Sequence, residues 1–278
     1  MKGKGFKTAA IRENVRDRLN LNLFYTEAFL NYAGNPIDSK ELYTEIIADE
    51  LIRNYDQVSK IGKDIIIRRT KTFNAHPNHI PNVKSRLQKF KQLEYCEKLL
   101  AIALYNSNET YCLGKILDYE VPLKEEKSDK YGRIDLVSKD ANKQSIKLIE
   151  LKIKAKNGKD ETLLRALLEI YIYYKLIKNS FDKFLEDYHL SSEEYKRFQP
   201  AILTDKQSLS GKTLLNIKEH PCVQALISKM NNEISSQIEG FVYDYPNRNK
   251  PFQYNGEIKQ KIILQGDIKI EQIDIAGN

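Results

Sequence analysis

Two short runs constrain this chain more than anything else in it. Tyr131–Val137 reads Tyr-Gly-Arg-Ile-Asp-Leu-Val, and Ile146–Lys154 reads Ile-Lys-Leu-Ile-Glu-Leu-Lys-Ile-Lys. Both are rich in β-branched and apolar residues, and they are bounded by the turn-forming string Ser138–Lys143 and by Asn157-Gly158, so both are expected to be strands. Side chains alternate faces along a strand. Ile146, Leu148, Glu150 and Lys152 therefore share one side, while Lys147, Ile149, Leu151 and Ile153 share the other. If the two strands pair as a hairpin, Asp135 lies across from Glu150, and two carboxylates stand close together with one ammonium beside them.

That arrangement is costly without compensation, because close anions repel and each loses hydration. A hard divalent cation removes the cost, and Mg²⁺ is typically held by one or two carboxylates plus water and substrate phosphate. A neighbouring lysine then holds a hydroxide or stabilises charge growing on a phosphate. An isolated Glu-x-Lys on a strand is ordinarily an exposed salt bridge. An Asp fifteen positions upstream on a second strand, with a helix following, shifts the reading to metal-assisted phosphodiester hydrolysis.

On Asp135, Glu150-Leu-Lys152 and this strand–strand–helix order, the chain resembles the PD-(D/E)xK nuclease superfamily, the restriction-endonuclease-like proteins. The proline that precedes the first Asp of that pattern is Ile134 here. The resemblance implies an α/β fold with a mixed central sheet flanked by helices. It implies Mg²⁺, or alternatively Mn²⁺, on Asp135 and Glu150, with Lys152 assisting catalysis. Many members add an acidic residue from the helix preceding the strands, which points to Glu97 as a third metal-binding and catalytic carboxylate. Some carry Gln-x-x-x-Tyr on the following helix; here the spacing is Glu169-x-x-x-Tyr173.

The rest of the chain fits around this core. Residues up to about 60 carry helical stripes, with Ile11, Val15, Leu19 and Leu23 at intervals of four, a break at Asn35-Pro36, and Asp38 or Ser39 positioned to cap a second helix. Asp64–Ile67 suggests a short strand. After it, Arg68, Arg69 and Lys71 interleave with amides and an aromatic as a phosphate-contacting loop would. His76 and His79 lack the companions a zinc site needs. Residues 82–106 form a strong amphipathic pattern in which Glu97 falls inside the apolar arc, so it needs a partner. Lys115–Pro122 reads as the first strand of the core sheet. Asp160 is placed to cap a helix from Glu161 to about Asn179. Its Leu-rich face packs on the sheet, and Arg165, Glu169 and Tyr173 form a polar flank on which Arg165 meets either a phosphate or its neighbouring glutamates. Phe198–Thr204, Pro221–Ile234 and Ile238–Tyr243 continue as strand, helix and strand. Ser208–Thr213 lacks the leading glycine of a phosphate loop. Lys261–Gln265 and Ile268–Ile273 suggest a closing hairpin around Gly266-Asp267.

The organisation expected is a helical segment (1–80), a nuclease-like core (81–245) and a β appendage (246–278). The net charge of +7 favours an acidic partner, and nucleic acid, DNA first, is the commonest. Arg133, beside Asp135, joins the basic loop and Arg165 as a candidate backbone contact. No apolar run reaches the ~18 residues of a membrane span, and three unpaired-looking cysteines fit a reducing cytoplasm. Cutting both strands of a duplex would favour a homodimer. The alternatives are an RNA-directed nuclease, or a nucleic-acid-binding protein on the same fold without catalysis.

Overall fold

The computed structural model describes residues 5–21, 23–63, 73, 96–107, 110–123, 131–156, 159–249, 251–255 and 261–275. In chain order the described elements begin with α1 (Thr8–Arg18), two 3-10 turns (Phe24–Thr26 and Ala28–Asn31), α2 (Tyr43–Arg53) and the short α3 (Tyr55–Val58). Helix α4 (Glu97–Ser107) leads into strands β1 (Thr110–Tyr111), β2 (Gly114–Pro122), β3 (Arg133–Asp140) and β4 (Ser145–Lys152). Then come α5 (Leu163–Ile177), α6 (Phe181–Asp187), β5 (Arg197–Asp205), α7 (Leu209–Leu215), α8 (Pro221–Ile234) and β6 (Glu239–Asp244). The chain closes with β7 (Phe252–Asn255), β8 (Lys261–Leu264) and β9 (Lys269–Ile273).

The protein is α/β. One seven-stranded mixed sheet runs β1-β2-β3-β4-β5-β6-β9. β2, β3 and β4 form an antiparallel meander, β5 and β6 add parallel to β4, and β9 closes the far edge antiparallel to β6. β4 is central, and every one of its residues is buried. Its alternation therefore divides two cores rather than core from solvent. Ile146 and Leu148 face a cluster with α5, α8 and the N-terminal helices. Ile149 and Leu151 face a second cluster with α4 and the β7–β8 ribbon.

Helix α5 sits on the first face because Leu163, Leu164, Leu167, Leu168 and Ile170 are all buried; such side chains contribute roughly 1.5–3 kcal/mol each. The cap of α5 differs from the expected one. Thr162, not Asp160, accepts the Arg165 N–H, at 3.3 Å. Asp160 instead accepts from Ala155 N, Lys154 Nζ and Leu209 N, which ties the end of β4 to the start of α7. Asp38 likewise does not cap α2; its carboxylate takes the Thr8 N–H and hydroxyl at the start of α1. The expected closing hairpin is also absent. β8 pairs with β7, and β9 joins the main sheet beside β6.

The N-terminal helices are stitched into the same core. Glu45 accepts the Cys222 N–H, Lys175 donates to Ser59 O at 2.6 Å, and Tyr55 and Tyr171 both donate to Glu233. Among the described residues no helix is long and apolar enough to cross a membrane. The strand expected at 64–67, His76 and His79, and residues 82–95 of the helix pattern lie outside the described residues.

At the β3–β4 turn end of the sheet, Lys147 is fully buried and ion-paired to Asp140, with Glu239 3.6 Å away. Removing one partner of a buried pair leaves an uncompensated charge. Lys147→Ala is therefore expected to lower the urea unfolding free energy by about 3–5 kcal/mol; a loss within experimental error would show that this pair carries no such load.

Candidate active site

The β3–β4 ladder is paired from Asp140↔Ser145 to Leu136↔Ile149. Extending the register by one residue sets Asp135 opposite Glu150. There the main-chain pairing gives way to a side chain: Asp135 Oδ2 accepts the Leu151 N–H at 2.8 Å. This bond aims the Asp135 carboxyl back over β4, on the face shared by Glu150 and Lys152. The Asp135 and Glu150 carboxyls come close enough to hydrogen-bond each other when one carries a proton.

Lys152 lies at the centre of the cluster and is only 4% exposed. Its ammonium is 2.7 Å from Glu150 Oε1, 2.6 Å from Glu161 Oε2 and 2.8 Å from Glu169 Oε2. Burial opposes its charge, but the carboxylates of Glu150, Glu169, Glu161 and Glu97 outweigh burial and raise its pKa well above the usual lysine value. Lys152 is thus a permanent, fixed cation rather than a proton acceptor.

The carboxylates respond in two ways. Burial first, then repulsion from Asp135, raises the Glu150 pKa. Burial also raises that of Asp135, against the pull of Lys152 and the Leu151 N–H. Glu97, at the start of α4, is pushed up to about 7, chiefly by burial, with Asp135, Glu161 and Glu169 adding to the rise and Lys152 opposing it. Glu161 moves down instead, because Lys152, Arg165 and Asn31 outweigh its burial. Arg165 Nε is 3.0 Å from Glu169 Oε1 and 3.4 Å from Glu161 Oε1, so it is directed into the cluster. Arg133 stands exposed at its rim, 3.3 Å from Glu120 Oε2, which also pairs with Lys98.

Among the described residues five carboxyl groups therefore surround two cations, and two buried oxygens have no hydrogen-bond partner: Glu169 Oε2, which still faces Lys152 Nζ at 2.8 Å, and Glu150 Oε2. Such an orphan beside a second carboxylate is the donor set a hard cation takes. Asp135 and Glu150 are the two residues that would hold such an ion. Among the described residues no three Asp, Glu, His or Cys side chains form a metal-ligand group, and Glu97 is linked to the pair by electrostatics.

Asp135, Glu150, Lys152, Glu97 and Arg165 are thus brought into one neighbourhood, with Arg133 at its edge. Arg68, Arg69 and Lys71 lie outside the described residues. Glu161 and Glu169 were not singled out as partners of Lys152; their four-residue spacing around Arg165 just after β4 was the available signal. A cavity of about 620 Å³ opens at the opposite ends of β4, β5 and β6, lined by Lys143, Arg197 and Glu239 among others, and shares no residue with the cluster. Comparison with protein families, with curated proteins and with solved structures returned no match.

The raised carboxyl pKa values have a signed consequence. A carboxyl whose folded pKa lies above its unfolded one adds stability that is complete below the unfolded pKa and is lost as pH rises through the folded one. Without divalent metal, the unfolding free energy should fall between about pH 4.5 and 7, with Glu97 alone contributing on the order of 3 kcal/mol. Urea titrations in EDTA across that range should show a shallower slope for Glu97→Gln; an unchanged slope would remove Glu97 from the cluster's electrostatics.

Proposed function

We propose that this protein is a Mg²⁺-dependent nuclease of the PD-(D/E)xK type, with a restriction-endonuclease-like core and DNA as its first substrate. The observation that carries this reading is the convergence of Asp135 and the orphaned Glu150 Oε2 on one face of the sheet, with Lys152 fixed beside them. Support also comes from the order of α4, β2, β3, β4 and α5, in which a helix precedes the strands and another follows them.

In this reading Asp135 and Glu150 hold the metal, and Mn²⁺ suits the same ligands. The ion supplies a lowered water pKa and neutralises charge on the phosphate. The chain's own groups do the rest. Lys152, locked between three carboxylates, presents a positive charge that needs no reorganisation as negative charge develops on a phosphate. Glu97, titrating near neutral pH, is placed to exchange a proton with solvent at the edge of the cluster. Arg133, half exposed at the rim, is the phosphate contact that registers the backbone.

Incubating the purified protein with duplex DNA, single-stranded DNA and RNA under Mg²⁺, Mn²⁺ or EDTA tests this directly. Cleavage of DNA that needs the metal is expected. Asp135→Asn, Glu150→Gln and Lys152→Ala should each reduce it by about 10²-fold or more. Tight binding without cleavage by the wild-type protein would favour the binding-module alternative, and cleavage confined to RNA would change the substrate. A built-in control separates catalysis from folding: Asp135→Asn relieves the carboxylate repulsion, so in EDTA its Tm should rise above wild type. A fall in Tm would mean that the pair is not held in repulsion.

A further inference from the structure

The N-terminal segment, which carries no chemistry of its own, reaches the candidate active site through its two 3-10 turns, most directly at Asn31. Asn31, the last residue of the second 3-10 turn, donates from Nδ2 to Glu161 Oε1 at 3.2 Å. Its Oδ1 accepts the Thr162 N–H, also at 3.2 Å. The neighbouring Leu30 carbonyl accepts the Thr162 hydroxyl at 2.6 Å. Glu161 uses its other oxygen, Oε2, for Lys152 at 2.6 Å. A continuous path therefore runs from Asn31 through Glu161 to the Lys152 ammonium.

A second strut from the same turns meets the other strand of the site. The Tyr25 hydroxyl donates to Tyr131 O at 3.1 Å, and the Tyr25 ring stands edge-on to Tyr173 at 5.9 Å. The Tyr173 hydroxyl in turn occupies the space where Gly132 has no side chain: a Cβ there would come within 2.4 Å of it, and Gly132 has φ +96. Tyr131 and Gly132 immediately precede β3, which carries Asp135. The segment 24–31 thus braces both arms of the cluster.

We propose that Asn31 is a positioning residue of the active site, acting through Glu161 to fix the Lys152 ammonium, so that residues 24–31 belong to the catalytic apparatus and not to a separate helical domain. This rests on the nuclease reading above for its kinetic consequence, but not for the contact itself. Glu161 is more exposed than the other two carboxylates that hold Lys152, with 29% of its side chain accessible against 5% for Glu150 and 7% for Glu169. It is therefore the partner that most needs an external tether, and a misplacement of about 1 Å in a charged catalytic group is enough to cost up to about 10²-fold in rate.

The test uses the full chain. Asn31→Asp keeps the acceptor for Thr162 N–H and the shape of the side chain, but replaces the donor to Glu161 with a repelling carboxylate. On labelled duplex DNA with Mg²⁺ it should lower kcat by about tenfold or more while KM changes less than about twofold. Asn31→Asp combined with Glu161→Gln restores a hydrogen bond with donor and acceptor exchanged, and should recover part of the loss relative to Asn31→Asp alone. Wild-type kcat in Asn31→Asp, or a loss matched by unfolding and not relieved in the double variant, would overturn the proposal. The ¹⁵Nζ resonance of Lys152 gives a readout that does not depend on cleavage. It should shift in Asn31→Asp even if the wild-type protein proves to have no nuclease activity, an outcome that would refute the nuclease reading alone. An unshifted resonance would refute the contact.

Discussion

Everything in the candidate site depends on one electrostatic imbalance: more buried negative charge than the cations among the described residues neutralise. Asp135 and Glu150 face each other across two strands, and Glu161 and Glu169 close in from the start of α5. Lys152 is the hub that makes this packing tolerable, and its three ion pairs hold the carboxylates in place. Among the described residues one lysine and one arginine do not balance the cluster. For these described groups, protons or an added cation would make up the remainder, and burial accordingly appears as raised carboxyl pKa values and an orphaned oxygen. A folded protein tolerates such a cost where function requires it.

The fold supplies the rigidity this imbalance needs. β4 is buried on both faces between two hydrophobic clusters, so the backbone carrying Glu150 and Lys152 has no freedom to relax the repulsion. Asp135 is fixed by an N–H from β4 itself, and Asp160 anchors the chain just beyond β4 to α7. The N-terminal turns then pack from outside through Tyr25, Leu30 and Asn31.

How much of this was legible in the chain follows from the range of each interaction. The placement of Asp135 opposite Glu150, with Lys152 on the same face, follows from period-two alternation and a short turn, both local properties. Pro221–Ile234 matched its helix because proline at the first position and an apolar stripe are local as well. The partners of Lys152 were less accessible, since Glu161 and Glu169 reach it only once α5 folds back over the sheet. Asn31 was out of reach, being 130 residues from Glu161. The turn at Gly266-Asp267 shows the opposite failure. Its residues signal a reversal correctly, but composition does not say which strand each arm will pair with, and the two arms join different sheets. At the start of α5, two side chains suited to capping lie two positions apart, and Asp160 is drawn away by Lys154 and Leu209.

The most direct test of the central claim is anomalous scattering from crystals soaked in Mn²⁺. The imbalance predicts a single strong Mn²⁺ peak within ligand reach of both the Asp135 and the Glu150 carboxylates, and its loss in Asp135→Asn. A Mn²⁺-soaked crystal with no peak there, and with the two carboxyls sharing a proton at neutral pH, would contradict it.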